Sequence, residues 1–254
     1  MMTTKVFQRV LATFLVVAAI FLANGVAQAD AYQDIQKYTA QIAQNPNDIT
    51  AYFKRGIAYD DLGQYKLAIQ DYSTAIQLNP NIAELYNNRG TVYGKLEQYN
   101  LAVKDFDNAI QLNPNDAVYY NNRGNAYDYL NQYWRGIQDF DKAIELNPNY
   151  AMAYYNRGVA YGELGQNERA IQDYSIAIRL NSNDEDYYYN RGVSYGKLGQ
   201  NYQAIQDFNT AIQLNPNFAK AYYNRGLSYK AIGDIISAEE DFRTAERLKM
   251  FTTN

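Results

Sequence analysis

Six arginines stand 34 residues apart, at Arg55, Arg89, Arg123, Arg157, Arg191 and Arg225, and each is followed by Gly. A row of guanidiniums in register could hold carboxylates or phosphoryl groups through paired N–H donors. Sixteen residues after each arginine comes an aspartate: Asp71, Asp105, Asp139, Asp173, Asp207 and Asp241. One Arg–Asp bridge per repeat, inside or between units, accounts for both series at once. The two series are therefore read as a structural ladder and not as a ligand site.

A second set of candidates varies from copy to copy. The residue before the arginine is Asn88, Asn122, Asn156, Asn190 or Asn224, and the residue before that includes Asn121, Tyr155, Tyr189 and Tyr223. Asn125 and Lys220 fall on the same predicted helix face. An Asn side chain can both donate to and accept from a backbone amide. Tyr offers a flat apolar face with a polar tip. Together they suit an extended peptide or a disordered segment, so these residues are the candidate partner-binding set.

Other chemistry finds little support. The 254 residues contain no His and no Cys, which removes histidine-based catalysis, thiol nucleophiles and most metal sites. No residue set makes a nucleophile–base pair, so no enzyme, cofactor or metal is expected. The run Asp184-Glu185-Asp186 reads as stabilisation of a helix N-terminus. The net charge is −4, and removing residues 1–29 leaves 21 basic against 27 acidic residues. An acidic chain is a poor partner for nucleic acid.

The elements that position these residues follow from the period itself. Six units run 49–82, 83–116, 117–150, 151–184, 185–218 and 219–250. Within a unit, Tyr at position 4, Gly at 8, Tyr at 11 and Leu or Ile at 14 share one helical face. Position 15 is Gly or Asn except for Glu97, which suits the left-handed residue that ends a helix. A second helix carries Ala at 20 (Gly136 in one unit), Tyr or Phe at 24 and Ala at 27. Leu-Asn-Pro-Asn then closes most units, and its last Asn is expected to cap the next helix. A Gly inside each first helix costs about 1 kcal/mol relative to Ala, which close helix packing has to offset. Trp134 beside Gly136 suggests local repacking.

This spacing resembles the tetratricopeptide repeat (TPR) family, with an aromatic at 4, a small residue at 8, Tyr at 11, Ala at 20, an aromatic at 24, Ala at 27 and Pro at 32. The resemblance covers residues 49 to about 250 and departs at position 7, where Arg replaces a Leu-like residue. It implies an all-α TPR solenoid, a right-handed superhelix of antiparallel helix pairs whose first helices line a concave groove. Some TPR co-chaperones grip a C-terminal carboxylate through Lys and Asn. Here those lysines are largely missing, Lys220 being the one match, so chaperone tails are not expected as ligands.

Both ends of the array are expected to be finished. Residues 30–48 match a second helix alone, keeping Ile35 and Ile42 toward the next unit but placing Asp34 and Gln41 where a partner helix would pack. In the last unit, Glu239 and Glu246 replace the Ile or Val that would meet a seventh. Residues 1–29 combine a basic start, an apolar run from Val10 to Ala23 and Ala27-Gln28-Ala29, which reads as a signal peptide cleaved before Asp30. A retained anchor is the alternative, and residues 251–254 form a short tail. The expected function is a non-catalytic interaction scaffold in the periplasm or an equivalent lumen, possible also in a secreted form. It binds a protein or peptide partner, not nucleic acid, with no stable membrane insertion after cleavage. An assembly factor or chaperone and a glycan or cell-wall binder are the alternatives.

Overall fold

The computed structural model describes residues 28–251, and thirteen helices with no strand account for them. The expected leader therefore lies outside the described residues except for its last two positions, and residues 252–254 of the tail lie outside as well. Among the described residues no helix is long and apolar enough to cross a membrane.

The chain divides into two compact units after Pro114. The first contains α1 (residues 28–44), α2 (Ile49–Asp61), α3 (Tyr65–Leu78), α4 (Ala83–Lys95) and α5 (Tyr99–Leu112). The second contains α6 (Ala117–Tyr129), α7 (Tyr133–Leu146), α8 (Ala151–Glu163), α9 (Asn167–Leu180), α10 (Glu185–Lys197), α11 (Asn201–Leu214), α12 (Ala219–Ala231) and α13 (Ile235–Phe251). Each 34-residue repeat is one helix pair. Within the second unit, α6 touches α8, α8 touches α10 and α10 touches α12, whereas α7, α9 and α11 make no such contacts with one another. The first helices therefore form the tighter, inner side of this unit.

Packing inside a pair explains the Gly in mid-helix. At Gly158 an added Cβ would lie 2.8 Å from Cε1 of Tyr174, and the same clash recurs in every pair between the position 8 Gly and the position 24 aromatic. The helices close onto a ring edge where no Cβ fits. Ala at 20 and 27 completes the approach, and Ala68, Ala75, Ala170 and Ala177 are fully buried.

Each first helix ends on a left-handed residue. Gly63, Gly165, Gly199 and Gly233 take positive φ, as do Asn131 and Glu97 at 58°. Glu97 departs from the pattern in sequence but not in conformation.

The helix caps differ from the expectation. The Asn after Pro does not cap. Its N–H is bonded by the Asn before Pro, as Asn81 N donating to Asn79 Oδ1 at 3.0 Å and Asn149 N to Asn147 Oδ1 at 3.1 Å. The cap falls one residue later, where Asp48, Asp116 and Asp184 accept a first-turn N–H through their side chains. The short Asn-Pro-Asn turn uses up one residue before the helix begins.

Helix α1 occupies the place of a second helix. Arg55 Nη1 donates to Thr39 Oγ1 in α1 at 3.0 Å, as Arg89 Nη1 donates to Ser73 of α3 at 2.9 Å. Gln41 is exposed and Ile42 half-buried. At the other end Glu239 and Glu246 are exposed.

Candidate functional site

The arginine of each repeat is fixed from three sides. Its Nε and Nη2 donate to both oxygens of the aspartate sixteen residues on, at 2.8 and 2.7 Å for Arg157 and Asp173. All six pairs are bidentate in this way. Within each unit Nη1 reaches back to the preceding second helix, as Arg157 to Asp141 at 2.6 Å and Arg191 to Ser175 at 3.0 Å. The guanidinium also lies over the position 4 Tyr ring, 5.6 Å away for Arg157 over Tyr154. The aspartates are buried and the arginines half-buried.

The Asn of position 6 joins successive repeats. Asn156 Nδ2 donates to Asn121 Oδ1 at 2.9 Å. Asn190 Nδ2 donates to Tyr155 OH, and Asn224 Nδ2 to Tyr189 OH, each at 3.0 Å. The same two amides also donate to Asp186 O and Lys220 O one turn back in their own helices. Asn121 is 3% exposed and so is withdrawn from the groove it was expected to line, whereas Asn156, 8% exposed, still contributes to the wall of a cavity there. Asn88 accepts from its neighbour Asn87 at 3.3 Å. The residue 35 positions before Asn88 is Phe53, which offers no acceptor. Asn122 is half-buried. The acceptor that Asn156, Asn190 and Asn224 use always stands 35 residues earlier, a pairing legible in the period once positions 5 and 6 are read across repeats.

The tyrosines divide in the same way. Tyr155 packs on Tyr174 and Tyr187, with ring centroids 5.9 and 4.9 Å apart, and Tyr189 packs on Phe208 and Phe218. Burial raises the hydroxyl pKa of both above the ordinary tyrosine value. Tyr223 rests on Phe242 but stays 45% exposed, because no later repeat brings an Asn to its hydroxyl among the described residues. Lys220 is exposed near Asp186, whose pKa burial and its acidic neighbours raise despite the lysine. Asp184 caps α10 by accepting from Asp186 N.

Two cavities open on the inner side of the second unit, at matching registers between first helices. One, of about 400 Å³ between α6 and α8, is lined by Asn125, Asp128, Tyr129, Asn131, Tyr133, Tyr155, Asn156, Val159 and Glu163. The other, of about 390 Å³ between α10 and α12, includes Val193, Lys197, Asn224 and Leu227. Asn125, Tyr155, Asn156 and Asn224 belong to the set named from sequence. Asp128 and Glu163 were missed, because each is unremarkable until the fold brings them together. One oxygen of Asp128 is buried with no hydrogen-bond partner. Burial, and then the charge of Glu163, push this carboxyl up to about 7. Gly136 now has an explanation: a Cβ there would collide with Asp128 Oδ1. Trp134 is not repacked inward but 54% exposed. Among the described residues no three acidic side chains gather as a metal site.

Antiparallel helix pairs at a 34-residue period, closed on a Gly–aromatic contact, define a helical repeat scaffold. Family models described as tetratricopeptide repeat or TPR repeat match residues 83–116, 117–150 and 185–218, then 58–97 and 160–199, then 140–172 and 208–240. The chain belongs to the tetratricopeptide repeat family, whose members are non-catalytic scaffolds for protein or peptide interaction. No curated protein matches the sequence. Among solved structures, MamA is 25% identical with a TM-score of 0.60, over 66% of this chain and 92% of its own. YrrB, described as a TPR protein with an unusual peptide-binding site, is 23% identical with a TM-score of 0.58, over 72% of this chain and 95% of its own. A TPR protein from Parabacteroides merdae is 21% identical with a TM-score of 0.67, over 89% and 93%.

Proposed function

We propose that the inner side of the second unit binds an extended segment of a protein partner, without chemistry, outside the cytoplasm. The observation that carries this reading is the pair of cavities at one register, of about 400 and 390 Å³. Their walls include residues that change between repeats, such as Asn125, Val159, Val193 and Leu227, set on a frame that does not change. A segment crossing α6 to α12 would drop side chains into successive notches while Tyr223 supplies an exposed aromatic edge. Export rests on the basic and apolar start of the chain and the small residues before Asp30.

A photo-reactive side chain placed at Val159 or Leu227 in the full chain, in its own cells, is expected to cross-link a protein partner. The same group at Ile236, on the second helix α13, is expected to leave that partner unlinked. Equal capture from all three positions would reject the inner-side reading. Intact mass is expected to show the mature chain beginning at Asp30, in the envelope or medium fraction. A full-length chain in the cytosolic fraction would reject export.

A further inference from the structure

The cavity between α6 and α8 has a counterpart in the first unit that is already filled. There Lys95, the last residue of α4, extends to Asp60 of α2, and its Nζ donates to both carboxylate oxygens at 2.7 and 2.8 Å. The same ammonium lies 5.8 Å from the ring centre of Tyr65, the first residue of α3. One carboxylate and one ring thus make a seat for an alkylammonium ion.

Two repeats later the seat recurs without its cation. Asp128 stands 68 residues after Asp60, and Tyr133 stands 68 after Tyr65. Glu163 stands where Lys95 does. The wall therefore gains an acid where the first unit has a base. Both acids line one cavity of about 400 Å³ beside Tyr129 and Tyr133; Asp128 Oδ1 is buried against Gly136 with no hydrogen-bond partner, which leaves the rest of the carboxyl to the cavity wall. No described residue pairs a cation with Asp128 or Glu163. The other repeats do not reproduce the arrangement, since position 12 is Gly94, Gly162, Gly196 or Lys230. The loss of Ala at Gly136 is specific to this repeat and makes the room that Asp128 occupies.

We propose that this cavity receives the side-chain ammonium of a lysine carried by the bound segment, seated between Asp128, Glu163 and the ring of Tyr133. The proposal rests on the inner-side reading above and adds the chemistry of one partner residue. Lysine fits because its slender stem can pass Val159 and Tyr155 while its head replaces the one that Lys95 supplies internally. The high pKa of Asp128 agrees with a carboxyl that lacks its cation. A divalent metal is disfavoured by the presence of only two carboxylates.

The test uses the isotope-labelled full chain at pH 8, titrated with a blocked octapeptide holding one central lysine. Its acetyl-lysine counterpart and n-butylamine are the comparison ligands. The lysine peptide is expected to shift the amide resonances of Asn131, Tyr133 and Glu163, and acetylation to weaken binding at least tenfold. Glu163→Lys, which rebuilds the Asp60–Lys95 pair, is expected to remain folded and to abolish those shifts. Asp128→Asn is expected to weaken them at least fivefold. Equal binding of the acetylated peptide, or unchanged binding to Glu163→Lys, would overturn the proposal. If n-butylamine binds as tightly as the peptide, the site takes free amines and the assignment to a partner lysine is overturned. Peptide shifts confined to the α10–α12 cavity would overturn the ammonium seat while leaving the inner-side reading standing. Butylamine binding with no peptide binding would overturn the partner-lysine assignment and strike the inner-side reading as well.

Discussion

Arg157 joins two repeats through a single guanidinium: a bidentate bond to Asp173, a bond to Asp141 of the preceding pair, and a stacked Tyr154. Removing it leaves Asp173, 4% exposed, without its partner. Arg157→Ala is expected to cost about 3–5 kcal/mol, the usual penalty for orphaning a buried charge. In urea melts, the double change with Asp173→Ala is expected to lose clearly less than the two single losses together; strict additivity would count against coupling. Asp128 is the opposite case, a carboxyl without a cation. Its pKa rises from 3.8 to about 7 in the fold, through burial and the charge of Glu163 on α8. The folded state then holds this proton more tightly than the unfolded chain does. Its contribution is therefore fully present below about pH 4 and lost as pH rises through about 7. Asp128→Asn is expected to flatten that decline and to be more stable than the natural chain at pH 8. Parallel denaturant curves from pH 4 to 8 for the two proteins would count against it.

At the scale of one helix, conformation and packing impose different residues. The end of α4 needs a left-handed residue, and Glu97 takes φ 58° there while four other repeats use Gly. A side chain in that region costs roughly 1–2 kcal/mol. Glu97→Gly is expected to recover about 1 kcal/mol, read as a raised denaturation midpoint with unchanged slope. The Gly in the middle of each first helix is set by a neighbour instead. Gly158→Ala places a methyl 2.8 Å from the Tyr174 ring, so the better helix former is expected to destabilise by about 1–3 kcal/mol. A gain in stability would show that the ring can move aside.

For the molecule as a whole, α13 differs from α7 on the face that packs against a following pair. In the second unit Ile137 and Ile144 pack toward the next pair, against Ala160 and Ala153, while Glu239 and Glu246 at the same positions of the final pair are exposed. Restoring Ile at both is expected to leave an unpaired apolar face and produce concentration-dependent self-association. Light scattering coupled to size exclusion would show it. A double variant that keeps the mass of the natural chain at all concentrations would mean that these glutamates do not limit the array.

Much of this was determined along the sequence alone. A strict 34-residue period, with small and aromatic residues at fixed places, leaves only one way for each helix pair to close, so pair boundaries and core faces were legible at once. The Arg and Asp series shared one period, and their pairing followed. Residues whose role depends on another repeat were not legible in the same way. The bond of 2.9 Å between Asn156 and Asn121 was not read from the sequence, and neither Asp128 nor Glu163 stood out until the fold placed both on one cavity. Sequence periodicity reports what every copy must do within itself. Which side chains meet across two copies, and which charge is left without a partner, depends on how successive first helices stack, and only the tertiary structure decides that.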